Sequence, residues 1–126
     1  MRVVDTSAWI EWLISSKTGN LLENEMPDMD RCVIPTMVQF ELVKWVSREV
    51  SEGASSDMIA HTEKCVVVPL DTTIAIRAAE IAREHKLATA DAIIYATGLE
   101  RGADLLTCDA HFEGLPGVKY IPKAQA

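Results

Sequence analysis

The sequence predicts an α/β fold, a three-layer α/β/α sandwich around a mainly parallel central sheet of about five strands. The chain has 126 residues, of which 48% are hydrophobic and 25% are charged, as in one ordinary globular domain. Short β-branched runs alternate with longer helical patterns, and strands separated by helices pair in parallel through crossovers. Because no repeat or Gly/Ser/Pro-rich linker interrupts this alternation, we expect a single domain over residues 1–126.

The first strand and the first helix follow each other directly. Arg2–Asp5 is a short β-branched run, and Thr6 and Ser7 are suitable helix caps, so the pattern predicts a helix from there to about Ser15. The segment Gly19–Met26 predicts a further short helix.

The second strand, Cys32–Ile34, is closed by a proline and leads into a longer helix. Thr36 and Gln39 have the form of a capping box, in which Glu or Gln stands three positions after a hydroxyl residue, and they predict a helix to about Glu49. Another helix is expected after Gly53.

The second half of the chain continues the alternation. Asp71 is a suitable cap for a helix to about His85, and Thr89 opens the next helix, to about Gly102. The three strands predicted here are Cys65–Pro69, Leu105–Thr107 and Val118–Ile121.

Composition excludes several functions. The longest stretch without a charged residue is Cys32–Phe40, which is well short of the ~20 residues that span a bilayer, and Asp5 interrupts the only N-terminal apolar run. We therefore expect a cytoplasmic protein. Its net charge of −7 argues against a simple basic nucleic-acid binder. Three cysteines without a C-x-x-C pair predict small buried side chains rather than disulfides or zinc ligands.

Acidic residues stand where the pattern calls for apolar ones. Asp5 follows the first strand and Asp109 follows the fourth, whereas Glu41 and Asp91 lie on the apolar stripes of two helices. Each alone has a local explanation, as a helix cap or half of an ion pair. Together they can converge at the carboxyl edge of the sheet, where carboxylates repel one another unless they share a cation.

The ligand types indicate which cation. A site made of carboxylates suits Mg²⁺ or Mn²⁺, whereas zinc favours His and Cys. The three histidines, His61, His85 and His111, are scattered along the sequence. We therefore expect one or two hard divalent ions.

Four segments of the chain contain the acidic residues: Val3–Ser7, Val38–Leu42, Asp91–Thr97 and Leu105–Phe112. Together they resemble the PIN domain family, and within it the VapC-type toxins of toxin–antitoxin pairs. The resemblance extends from Arg2 to about Ile121.

This resemblance implies a metal-dependent endoribonuclease that uses Mg²⁺ or Mn²⁺ to hydrolyse RNA phosphodiester bonds. It implies that a cognate antitoxin covers the acidic cleft and that the toxin forms a homodimer. The acidic quartet implied is Asp5, Glu41, Asp91 and Asp109, with Thr6, Ser7 and Thr107 beside it to orient the acids and bound water.

Other side chains have two interpretations each. The basic residues that can line a groove for the RNA backbone, or lie as solvated charges on helix faces, are Lys44, Arg48, Arg77, Arg83 and Lys86. Trp45 and Tyr95 can stack on a base or belong to the core. His111 can contact a phosphate or be structural. Trp9 and Trp12 share a helix face that either packs within the monomer or binds a partner.

Four other functions remain open from the residues alone. A DNA-acting nuclease of the same fold uses the same acidic chemistry. An idle binding module keeps the fold without activity. A hydrolase with an aspartyl nucleophile would need a second aspartate where Ser7 stands, and a receiver-like phosphoacceptor would have to use Asp71.

Overall fold

The computed structural model describes residues 1–124, so the last two residues of the predicted domain lie outside the described residues. The strands are β1 (Arg2–Val4), β2 (Cys32–Pro35), β3 (Val66–Val68), β4 (Asp104–Thr107) and β5 (Val118–Tyr120). The helices are α1 (Thr6–Leu13), α2 (Lys17–Leu22), α3 (Thr36–Glu49), α4 (Glu52–Thr62), α5 (Thr72–His85) and α6 (Thr89–Glu100). Two 3₁₀ turns, Met29–Arg31 and Ala110–Phe112, precede β2 and β5.

All five strands form one parallel sheet in the order β3-β2-β1-β4-β5, which confirms the predicted fold class. The chain moves outward from β1 to β3 and then crosses back to β4. Right-handed crossovers therefore put α1 to α4 on one face of the sheet and α5 and α6 on the other. In the register, Val4 of β1 lies opposite Leu106 of β4, so both strands end at the same edge.

The core lies on both faces of the three central strands. Val3, Val33 and Leu106 are fully buried, and Leu42 of α3 and Ile94 of α6 cover them from the helix layers. The buried residues of α3 form the predicted stripe, Val38, Leu42 and Val46. α6 is instead buried continuously from Ile94 to Gly98, so it lies between neighbours rather than facing the core with one stripe.

The capping box predicted for α3 is wrong. Thr36 is already the first helical residue, and Pro35 before it caps the helix without any side-chain hydrogen bond. The Thr36 hydroxyl instead accepts the backbone N–H of Leu70 at 3.3 Å, and the Gln39 amide donates to the hydroxyl of Thr62 at 3.1 Å. Both side chains serve tertiary contacts, which local spacing does not reveal.

The short second helix is displaced from its predicted position. It spans Lys17–Leu22 rather than Gly19–Met26, because Ser16 caps it by accepting the N–H of Gly19 at 2.9 Å. Gly19 also lets two helices meet backbone to backbone, since a β-carbon there would lie 2.1 Å from the carbonyl oxygen of Glu11. The predicted cap Asp71 is confirmed, with its Oδ1 2.9 Å from the N–H of Ile74.

The three cysteines lie in the core or pack against it. Within residues 1–124 all three cysteines are unbridged, with Cys32 and Cys108 buried and Cys65 half-buried. No described helix has the length and apolarity to cross a bilayer. Trp9 of α1 is a core residue, and Trp12 is half-buried, packs against the core and lines an apolar groove of about 360 Å³ with Trp45 and Met58.

Candidate active site

Asp5 is the most deeply placed of the four predicted acids. It directly follows β1 and is only 3% exposed. Its backbone carbonyl receives the first helical N–H groups of α1, but its carboxylate makes no capping bond. Oδ2 accepts hydrogen bonds from Ser7 Oγ at 2.7 Å and Thr107 Oγ1 at 2.8 Å, so Oδ1 stays available to a ligand.

The two hydroxyls that hold Asp5 also tie the strand ends together. Ser7 Oγ accepts the N–H of Cys108 at 3.0 Å, and Thr107 Oγ1 accepts the N–H of Asp109 at 2.9 Å. The hydroxyl oxygens lie 3.3 Å apart. A carboxylate fixed by two donors cannot rotate away from the sheet edge.

Glu41 reaches the same edge from α3. The residue is half-buried, and its Oε1 accepts the hydroxyl hydrogen of Thr6 at 2.7 Å. Thr6 opens α1, directly after Asp5. All three side chains predicted to orient acids, Thr6, Ser7 and Thr107, therefore contact an acid of the quartet.

Asp91 and Asp109 complete the acidic edge. Asp91 lies in the first turn of α6, and Asp109 caps the 3₁₀ turn after β4 by accepting the N–H of His111 at 2.9 Å. Burial, then the carboxylates of Asp109 and Asp5, raise the pKa of Asp91 to about 6. The local capping interpretation of Asp109 is thus correct as well, but one capping bond leaves its other oxygen for the cleft.

Mutual repulsion shows that the quartet converges. The pKa of Asp5 is raised chiefly by burial, against the lowering effect of its two hydroxyl donors, and further by the charges of Glu41 and Asp109. Glu41 also raises the pKa of Asp91. The four acids therefore interact electrostatically, as expected for carboxylates facing one cleft.

His111 lies at the site as well, where the sequence analysis allows either a phosphate contact or a structural role. Its Nδ1 lies 2.8 Å from Asp109 Oδ1 and 3.9 Å from Asp91 Oδ2, and its side chain is 78% exposed. Nothing in the local pattern marks this residue except its position two residues after Asp109. The turn Ala110–Phe112 is what brings its ring back over the acid.

The donor set fits a divalent cation. Asp91, Asp109 and His111 each offer a ligand atom, and these atoms lie within 4.8 Å of one another. Within the described part of the chain, Asp5 and Glu41 lie outside this tight group but remain electrostatically coupled to it. Two carboxylates and an imidazole, with two further acids nearby, are donors that divalent metal ions accept in proteins.

The predicted basic residues do not share one surface. Lys44 and Arg48 line a groove of about 240 Å³ together with Glu41 and Thr6. Arg77 is paired with Glu100 at 2.6 Å across α5 and α6.

Arg83 and Lys86 are exposed near the end of α5, and Lys86 ends that helix in a left-handed conformation.

Tyr95 is a core residue, as one of its two interpretations predicted, because it is 4% exposed and its hydroxyl donates to the Pro116 carbonyl at 2.6 Å.

Comparison with known proteins adds a family and a set of structural neighbours. The sequence profile of the PIN domain family matches residues 2–118. No curated protein matches the chain in sequence.

Solved structures are similar over nearly the whole chain. A toxin–antitoxin complex from Klebsiella pneumoniae has 22% identity and a TM-score of 0.81, covering 94% of this chain and 96% of that one. The Mycobacterium tuberculosis toxin VapC20, described as cleaving the sarcin–ricin loop, has 19% identity and a TM-score of 0.78, covering 97% and 100%. A DNA-bound VapBC from Salmonella typhimurium has 20% identity and a TM-score of 0.71, covering 96% of each chain. At these identities the similarity establishes a shared fold.

Proposed function

The chain belongs to the PIN domain family, and from that premise we propose that it is a metal-dependent endoribonuclease of the VapC toxin type. The observation that carries the proposal is the acidic edge, where Asp5, Asp91 and Asp109 meet at the ends of β1, α6 and β4. One buried and two half-buried carboxylates that repel one another are costly to a fold, so their presence at the ligand-binding edge of a parallel sheet favours a function that uses them.

Asp5, Asp91 and Asp109 would hold one or two Mg²⁺ or Mn²⁺ ions, with Glu41 as a further ligand or as a general base. A divalent cation supplies Lewis acidity, which makes water a better nucleophile and offsets the charge that develops on a phosphate. The protein supplies orientation: Thr6 holds Glu41, and Ser7 and Thr107 hold Asp5.

RNA is the substrate class that we favour over DNA. The description of the Mycobacterium tuberculosis neighbour as a sarcin–ricin loop cleaving toxin supports it. Lys44 and Arg48 beside Glu41 provide local positive charge for a backbone phosphate in a protein of net charge −7.

The direct test is cleavage of a mixed RNA pool by the wild type and by Asp5→Asn, with Mg²⁺, Mn²⁺ or EDTA. We expect metal-dependent cleavage that the variant lacks, since the amide cannot replace a carboxylate ligand. Asp30→Asn, which removes the same charge from an exposed turn, should cleave like the wild type. Equal cleavage by Asp5→Asn and Asp30→Asn would refute the proposal.

A parallel assay with single-stranded DNA of matching sequence tests the substrate class. Faster cleavage of RNA at equal metal concentration supports a ribonuclease. Equal or faster cleavage of DNA would assign the acidic site to a DNA-acting nuclease.

We further propose that a cognate antitoxin controls the activity in the cytoplasm. The toxin–antitoxin complexes among the structural neighbours support such a partner. Expression alone should arrest growth, and co-expression of the product of a neighbouring small open reading frame should restore it. Arrest that Asp5→Asn fails to relieve would contradict a toxic nuclease.

A homodimer is also part of the proposal. Phe40 and Val43 lie one turn apart on α3 and are 62% and 37% exposed, which suits a contact with a second copy. Phe40→Glu should convert the dimer to a monomer in analytical ultracentrifugation. Leu21→Glu, at a residue 60% exposed on α2, is the matched control and should stay dimeric.

A further inference from the structure

We infer that His111 is a nitrogen ligand of the bound cation, together with Asp91 and Asp109, and that it makes the site prefer Mn²⁺ over Mg²⁺. This inference rests on the proposed metal-dependent function, whose implied ligands are the four acids alone. His111 is then the residue that distinguishes Mn²⁺ from Mg²⁺.

The positions of the three donors suit a shared ion. Ligand atoms about 2.1 Å from an octahedral ion lie about 3.0 Å apart in adjacent positions and about 4.2 Å apart in opposite ones. His111 Nδ1 is 2.8 Å from Asp109 Oδ1 and 3.9 Å from Asp91 Oδ2, which falls close to that range. The ligands need only small movements to meet one cation.

The turn that carries His111 is held in place by contacts of its backbone and of Phe112. Its backbone N–H donates to Asp109 Oδ1 at 2.9 Å, and Phe112, the next residue, is fully buried and anchors the turn. Asp109 is fixed in turn because its N–H donates to Thr107 Oγ1. The backbone positions of both donor residues are therefore set before any ion binds, which lowers the cost of binding.

His111 also differs from the other two histidines in its surroundings. His61 packs its ring against Trp9 and Trp12, and His85 packs against Tyr95. Among the described residues no aromatic ring packs on His111, and its side chain is 78% exposed. Packing thus explains His61 and His85, whereas the acids are the polar neighbours that account for the position of His111.

A nitrogen ligand changes which metal is favoured. Mg²⁺ prefers oxygen ligands and retains its waters, whereas imidazole binds transition-series ions better. Without an ion, His111 Nδ1 lies 2.8 Å from Asp109 Oδ1. A cation bound there would take the lone pair of the neutral imidazole nitrogen.

The test measures metal binding without RNA, at one fixed pH. Binding of Mn²⁺ is followed by electron paramagnetic resonance and that of Mg²⁺ by competition with Mn²⁺, in the wild type, His111→Ala and His85→Ala. We expect His111→Ala to weaken Mn²⁺ binding roughly tenfold or more, because even residues behind a ligand contribute 10- to 100-fold to affinity. Mg²⁺ binding should change by less than about twofold, and His85→Ala should bind both ions like the wild type.

Three outcomes would overturn the inference. Equal weakening of both ions would make His111 a positioning residue for Asp109. Unchanged binding of both ions would exclude it as a ligand. A wild type that binds neither ion would remove the site altogether.

Failure of the proposed function is a separate result. If the wild type binds Mn²⁺ through His111 but cleaves no RNA, the ligand assignment stands and the nuclease proposal fails. If it cleaves RNA and His111→Ala keeps its Mn²⁺ affinity, the nuclease proposal stands and the ligand assignment fails.

Discussion

At the scale of single residues, the site depends on how a buried carboxylate is kept in place. Asp5 is 3% exposed, and burial raises its pKa because an ionised carboxylate is destabilised when it is removed from water. Two hydroxyl donors, Ser7 and Thr107, partly offset that cost. Charge-assisted hydrogen bonds of this kind contribute more to stability than neutral ones.

Thr107→Val tests this support. The substitution keeps the shape of the side chain but removes the donor to Asp5 and the acceptor for the N–H of Asp109. We expect a loss of about 2–3 kcal/mol in the free energy of unfolding, because a hydrogen bond to a charged group is lost and a backbone donor loses its partner. Urea denaturation measures the loss, and RNA cleavage should fall with it.

Thr97→Val is the matched control. Thr97 is as buried as Thr107, but its hydroxyl donates only to the Ile93 carbonyl within the same helix. Its removal should cost about 1 kcal/mol or less. If both variants lose the same free energy of unfolding, the hydrogen bond from Thr107 to Asp5 contributes no more to stability than an ordinary buried one.

Asp91 gives a pH-dependent prediction for the metal-free protein. Its pKa in the fold is about 6, above the ordinary value of 3.8, so the folded state binds more protons than the unfolded state between these values. The contribution of Asp91 to stability must therefore fall as pH rises from about 4 to about 6. Asp91→Asn lacks this decline and should be more stable than the wild type at neutral pH, by on the order of 1–3 kcal/mol.

Thermal melts across this pH range, with EDTA and then with Mn²⁺, check the prediction. Asp91→Asn should also gain less stability from Mn²⁺ than the wild type does. Asp71→Asn, at the start of α5, is the control and should change stability little, since Asn also caps helices well. The same pH profile in Asp91→Asn and the wild type would contradict the prediction.

At the scale of elements, the contact between α1 and α2 is the tightest approach that the glycines reveal. A β-carbon on Gly19 would lie 2.1 Å from the Glu11 carbonyl oxygen and 3.1 Å from the α-carbon of Trp12. Both obstacles are backbone atoms, so neither can move without displacing α1. The start of α1 carries Thr6 and Ser7, which links this packing to the acidic site.

Gly19→Ala should therefore destabilise the protein by about 1–3 kcal/mol or more, as overpacking does, and should weaken metal binding through the shift of α1. Gly53→Ala is the control, because its β-carbon would meet only the Ser51 hydroxyl at 3.8 Å. That variant should be more stable by about 0.5–1 kcal/mol, since alanine favours a helix. Chemical denaturation measures the free energy of unfolding of the two variants. If both were more stable than the wild type, the close approach of Gly19 to the Glu11 backbone would be contradicted.

At the scale of the whole molecule, the proposed ribonuclease activity requires an acidic protein to bind a polyanion. With a net charge of −7, long-range forces oppose RNA, so attraction must come from cations at the cleft and from local basic residues. Lys44 and Arg48 are the two basic residues that line a groove with Glu41. Arg77, paired with Glu100, is poorly placed to contribute.

The double variant Lys44→Ala/Arg48→Ala, made in an Asp5→Asn background that does not cut, should bind RNA more weakly. The slope of log affinity against log salt should decrease by about 0.7 for each phosphate that the protein no longer neutralises. Lys17→Ala/Lys64→Ala removes the same charge from exposed positions elsewhere and should leave the slope unchanged. Fluorescence anisotropy at several salt concentrations measures both, and equal slopes in the two doubles would exclude the groove as an RNA surface.

The sequence by itself determined the alternation of strands and helices and the position of the acids relative to them. Those features depend on short-range patterns: a β-branched run ends at Asp5, and the stripe of α3 includes Glu41. Since the ends of parallel strands share an edge, the prediction that Asp5 and Asp109 approach each other required only topology. The resemblance to the PIN domain family added the prediction that Thr6, Ser7 and Thr107 lie beside these acids.

Only the tertiary structure decided the contacts between residues far apart in the chain. The ring of His111 meets Asp91, which is twenty positions earlier, and Thr36 meets Leu70 instead of capping its own helix. Gly19 is needed because α1 passes against it. These outcomes depend on distances between atoms that packing brings together, and periodicity, which describes a single element, has no information about them.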